Sequence, residues 1–184
     1  GISVYAEDRM LYGSLINLSE DILAEKSVPI PSETTNEDIL AGITAIVDEL
    51  KEEVLPGSEL AGVGVSVIGI VDTKDKVWNE AHRWPHIRDI EFTGLEKKIG
   101  LPIVLRRWLD TELEYQMIRR PDYREGNTLL FHWGAGIGAS YAHNGRIVDS
   151  AFGIFADVGH WKVHPDSDRL CRCGSHGCLE TYSS

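Results

Sequence analysis

The stretch Cys171-Arg-Cys173-Gly174-Ser-His-Gly177-Cys178-Leu-Glu180 constrains this chain more than any other, because it holds all three of its cysteines. Thiolates are soft ligands that suit zinc, and a structural zinc site takes four nitrogen or sulfur donors in a tetrahedron. Cys171 and Cys173 can grip an ion from one tight loop, while Gly174 and Gly177 let the backbone turn back to present Cys178. His160 supplies the fourth donor from upstream. Three free thiols and an unrelated histidine are the alternative, but they leave the clustering beside two turn glycines without a cause. The predicted cofactor is therefore a structural zinc on His160, Cys171, Cys173 and Cys178.

Alternating apolar and helical patterns predict a mixed α/β protein. Gly1 to Tyr5, Leu11 to Asn17 and Ser27 to Ile30 read as strands, the first two joined by a polar turn. Asn36-Glu37-Asp38 opens a helix with a capping residue and acids where the helix dipole favours them. Ile39, Leu40, Ile43, Ile46, Val47, Leu50 and Val54 follow at helical spacing, and Pro56-Gly57 ends the run. Gly62 to Val71 and Leu101 to Leu105 read as buried strands. Asp110 to Arg120 reads as a helix closed by Pro121-Asp122. Asn127 to Trp133 and Ile137 to Ala142 read as strands, with Asn144-Gly145 as a hairpin turn. No apolar run is long enough to span a bilayer, and no signal peptide opens the chain. The net charge of −11 argues against this segment gripping nucleic acid by itself. Metal-style cysteine spacing without a disulfide framework suits the cytoplasm.

From Ala156 the chain reads Ala-Asp157-Val-Gly-His160-Trp-Lys-Val, then the cysteine cluster, then Leu179-Glu180. This resembles the signature of the ROK family of repressors and sugar kinases, Glu-Ile-Gly-His followed by Cys-x-Cys-Gly-x-x-Gly-Cys-x-Glu, with Asp157 in place of the first glutamate. Gly134-Ala-Gly136-Ile-Gly138 is similar to the family's second phosphate loop. Gly100-Leu-Pro-Ile-Val-Leu followed by Asp110 is similar to the strand leading into its catalytic aspartate. The resemblance implies the actin and hexokinase type of ATPase fold, ribonuclease H-like, in two lobes. The N-terminal lobe is expected over 1–108, and the first part of a second lobe, carrying the zinc loop, over 109–184. Family members are longer, so the chain is expected to be a fragment.

The resemblance also implies roles. Asp110 matches the general base of the family's kinases, although an aspartate before a helical run also reads as a plain N-cap. Asp157, His160 and Glu180, with Asp110, match the positions that hold sugar hydroxyls, because carboxylates and imidazoles accept or donate hydrogen bonds in fixed geometry. Gly134, Gly136 and Gly138 are either a phosphate-loop remnant or a tight turn between strands.

The departures from the family pattern bear on function. The Asp-x-Gly-Gly-Thr phosphate nest of the kinases aligns with Ser3, Tyr5, Ala6 and Glu7, and the threonine of the second loop is Ala135. A tyrosine blocks close backbone approach and a glutamate repels phosphate, which argues against ATP and magnesium as cofactors. Leu109 and Arg83 replace two sugar-contacting asparagines. Arg83, Arg106 and Arg107 either favour an acidic or phosphorylated ligand or are solvated arginines. Trp78, Trp84, Trp108, Trp133 and Trp161 include either a sugar-stacking platform or core residues.

Three readings stand. One is a carbohydrate-binding and oligomerisation domain of a ROK-type regulator, forming a homodimer or homotetramer and reaching DNA only through a separate helix-turn-helix. The second is an ATP-dependent sugar kinase with a divergent nucleotide site. The third is a module without ligand, in which zinc only holds the fold.

Overall fold

The computed structural model describes residues 1–7, 9–81, 84, 86–149 and 157–183. The chain divides into two compact units, Gly1–Arg107 and Trp108–Ser184.

Period-two alternation builds the sheet of the first unit. β1 (Ile2–Glu7) turns Ile2, Val4 and Ala6 inward, and β2 (Met10–Ile16) turns Leu11 and Leu15 to the same core. Both strands run further into their connection than the polar sequence suggested, with Glu7 opposite Met10 and Arg9 in the left-handed region at φ 73°. β3 (Ile22–Pro29) is longer than the expected Ser27–Ile30, because Ile22 and Leu23 are exposed and Lys26 stands among its half-buried positions, so its alternation is faint in the sequence.

α1 (Asn36–Glu52) starts one residue earlier than its acids imply. Thr35 is the cap: its hydroxyl accepts the Asp38 amide while the Asp38 carboxylate accepts the Thr35 amide. Ile39, Ile43, Ile46, Val47 and Leu50 are buried along one face, each worth about 1.5–3 kcal/mol of transfer free energy.

The expected single strand over Gly62–Val71 is two. β4 (Val63–Val67) pairs parallel to β1, and the chain then breaks at Gly69, where φ is 112° and a Cβ would lie 1.9 Å from the Glu80 carbonyl oxygen. β5 (Ile70–Asp72), β6 (Val77–Glu80) and β7 (Arg88–Glu91) form a separate antiparallel sheet. α2 (Phe92–Ile99) follows, burying Phe92, Leu95 and Ile99 and ending at a left-handed Gly100. β8 (Ile103–Arg107) completes the main sheet in the order β3-β2-β1-β4-β8. Trp78 and Trp84 belong to this core, edge to face at 6.2 Å.

In the second unit α3 (Trp108–Arg119) begins two residues before the expected start, which places Asp110 inside the first turn and not at the cap. β9 (Asn127–Trp133), β10 (Ile137–His143) and β11 (Arg146–Ile147) form an antiparallel sheet, with Asn144 and Gly145 as the left-handed pair of the last turn. α3 covers one face, where Leu113, Met117 and Ala142 pack with Leu130 and Ile147. On β9, Leu129, Phe131 and Trp133 are at least half exposed. A short helix, α4 (Glu180–Ser183), follows the cysteine loop. Among the described residues no helix is long and apolar enough to cross a membrane.

Candidate metal centre and carboxylate cluster

Backbone hydrogen bonds fold the cysteine stretch into a closed loop. The Cys171 amide donates to the Ser175 carbonyl, the Gly177 amide to Arg169, and the Val163 and His164 amides to Gly177. Lys162 bridges to Cys178, which brings the residues after His160 alongside the last cysteine. Gly177 can be nothing larger: its φ is 73° and a Cβ would sit 1.9 Å from the His164 carbonyl oxygen.

The fold brings the side-chain donors of His160, Cys171, Cys173 and Cys178 within 4.8 Å of one another. Cys171 Sγ lies 3.4 Å from His160 Nδ1, and Cys173 Sγ lies 3.8 Å from Cys178 Sγ. Around a tetrahedral zinc with bonds of about 2.0 Å to nitrogen and 2.3 Å to sulfur, donors stand about 3.5–3.8 Å apart. The donor set and its spacing therefore fit a metal ion of that class. His160 turns Nε2 toward Asp157 Oδ1, 4.0 Å away, the side on which a metal-bound histidine is commonly oriented by a carboxylate.

The three thiols differ in acidity. Burial pushes Cys178 up to about 12 and also raises Cys171. Burial works against ionising Cys173 as well, but the Ser175 backbone and the neighbouring thiols outweigh it and lower its pKa. Cys173 is also the exposed one of the three.

A second cluster surrounds the Gly134–Gly138 stretch, in which Gly134–Gly136 form the turn joining β9 to β10 and Ile137, opposite Trp133, starts β10. The Glu180 carboxylate accepts the Ile137 amide at 3.2 Å through Oε2, and Arg172 pairs with its Oε1 at 3.4 Å. Arg172 also donates to the Ala135 carbonyl at 2.7 Å. A Cβ on Gly136 would lie 3.1 Å from Glu180 Oε2, so this glycine admits the carboxylate. Leu109 packs against Gly138, where a Cβ would meet its Cδ1 at 2.7 Å. Asp110 is buried, and the fully buried Ser140 donates to its Oδ1 at 2.6 Å. Ser140 and Arg172 escaped the sequence reading; Ser140, alternating inward on β10, carried the only signal, a polar residue at a core position.

Of the other expected positions, Arg106 donates to the Leu105 carbonyl at the end of β8. Arg83 lies outside the described residues. Trp133 and Trp161 are exposed, and Trp108 stands edge-on to His132.

The ROK family pattern matches residues 9–184. The chain belongs to the ROK family. Both branches of the family are among its relatives. A glucokinase of Streptomyces coelicolor is 28% identical over 89% of this chain and 50% of its own length. The transcriptional dual regulator NagC of Escherichia coli is 27% identical over 93% of this chain and 42% of its own length. This ROK chain thus spans about half the length of those relatives. Among solved structures, a ROK glucokinase from Streptomyces griseus, determined with glucose and AMPPNP, superposes with a TM-score of 0.75 at 26% identity, covering 100% of this chain and 56% of that one. A ROK transcriptional regulator homologous to Escherichia coli MLC gives a TM-score of 0.82 at 21% identity, covering 100% of this chain and 46% of that one. The α/β architecture is accordingly that of the actin and hexokinase-like ROK proteins.

Proposed function

We propose that the chain is the carbohydrate-responsive domain of a regulator-type ROK protein, held by structural zinc and without kinase activity. The β1–β2 hairpin carries this reading. A phosphate nest needs glycine amides and close backbone approach. Here the hairpin presents Tyr5 stacked on Tyr12 at 5.1 Å, Glu7 at the strand end, and no glycine from Glu7 to Met10. The domain map expected from the sequence, an N-terminal lobe over 1–108 and part of a second over 109–184, is part of the proposal.

In this reading Asp110, Asp157, His160 and Glu180 contact the hydroxyls of a carbohydrate or carbohydrate-derived ligand. Zinc is held by His160 Nδ1 and the thiolates of Cys171, Cys173 and Cys178, and it supplies loop rigidity and no reaction step. Ligand binding shifts the population of regulator conformations in a homodimer or homotetramer, and DNA is contacted through a separate helix-turn-helix. The net charge of −11 supports leaving phosphate contacts to another segment.

The sugar kinase is the second reading, favoured by the similarity to glucokinases and by the buried Asp110 beside its serine partner. In that case Asp110 takes the proton of the sugar hydroxyl that attacks the nucleotide. Thermal melting of the zinc-loaded protein with glucose, N-acetylglucosamine and their phosphates, with and without Mg-ATP, separates the two. A sugar-dependent rise that ignores ATP supports the regulator. ADP formation that depends on sugar replaces it with the kinase. No shift with any sugar would leave zinc as a fold element only.

A further inference from the structure

Arg172 stands between two metal-binding candidates, Cys171 and Cys173, yet its guanidinium reaches out of the loop. It donates to the Ala135 carbonyl across 37 residues of sequence and pairs with Glu180 at 3.4 Å. Glu180 in turn accepts the Ile137 amide at the other side of the same glycine turn. Three parts of the second unit therefore meet at one guanidinium: the cysteine loop, the β9–β10 turn and the start of α4.

We propose that Arg172 is a positioning residue that latches the folded metal loop to the Gly134–Gly136 turn and fixes the carboxylate of Glu180 over it. The chemistry suits arginine. Both contacts are made by Nη2, whose N–H bonds are held in the rigid guanidinium plane, whereas a lysine ammonium on a flexible stem has freely rotating donors. Loss of this cation removes the charged partner of Oε1 and loosens the carboxylate whose Oε2 accepts the Ile137 amide. The folded cysteine loop thereby sets the direction of the Glu180 carboxylate. The proposal rests on the reading of Glu180 as a ligand contact.

The test is site-resolved hydrogen exchange at the Ile137 amide in the zinc-loaded chain and in Arg172→Gln, with bound zinc counted in both. No sugar is added, so the result is readable whether or not the carbohydrate reading survives. Arg172→Gln is expected to keep its zinc and its melting temperature while exchange at Ile137 accelerates roughly tenfold or more, as a charge-assisted hydrogen bond is released. Arg172→Lys should fall between the two. Unchanged exchange at Ile137 in a zinc-loaded Arg172→Gln chain would overturn the latch. Loss of zinc from Arg172→Gln would overturn it too, because Arg172 would then serve the metal loop itself.

Discussion

Ser140 donates a 2.6 Å hydrogen bond to Asp110 Oδ1, and both side chains are buried. The two residues lie on β10 and α3, so the bond ties the sheet of the second unit to the helix that covers it. Replacing Ser140 by alanine leaves a buried carboxylate oxygen without that donor. The expected cost is about 1–3 kcal/mol in chemical denaturation. In an Asp110→Ala background, which has no acceptor for the Ser140 hydroxyl, the same substitution should cost measurably less, since the two are coupled. Equal costs in both backgrounds would show that the bond contributes nothing to stability.

The acidity of Cys178 predicts a pH dependence with a definite sign. Its thiol is pushed up to about 12 by burial, whereas an unfolded cysteine ionises near 8.5. Between those values the folded chain holds a proton that the unfolded chain has lost, so stability falls as pH rises. Chelated protein should therefore melt progressively lower above about pH 8.5, and Cys178→Ser should flatten that slope. Zinc reverses the relation, because binding requires the thiolate: zinc affinity should rise with pH across the neutral range.

Gly177 and Gly174 make a controlled pair. Both are left-handed, at φ 73° and 84°, but only at Gly177 would a Cβ collide with backbone. Gly174→Ala is expected to cost about 1–2 kcal/mol for the left-handed conformation alone. Gly177→Ala should cost more and should weaken zinc binding, read by competition with a chelating dye. Indistinguishable zinc affinities in the two variants would contradict the loop geometry.

The parts of this protein that were legible in its sequence are those whose partners are close along the chain. The metal-ligand candidates span His160 to Cys178, and α1 announces itself through five buried residues at helical spacing. β5 was expected only as the end of the Gly62–Val71 strand, and β6, β7 and α2 escaped; these strands are three or four residues long, too short for alternation to register. α2 had a readable signature in Phe92, Leu95 and Ile99 before Gly100. The surroundings of Glu180 were not legible at all: its bond to Ile137 crosses 43 residues, and no local pattern encodes a contact of that separation.

β9 has a consequence for anyone handling the protein. Among the described residues it lies at the end of its sheet in the order β11-β10-β9, and one of its faces shows Leu129, Phe131 and Trp133 to solvent. A strand open along one edge and greasy on one side is a template on which another strand can grow. Concentrated solutions should therefore gain light scattering with time and with salt, as charge repulsion is screened. A charged residue at Phe131 would act as a gatekeeper and keep the solution clear.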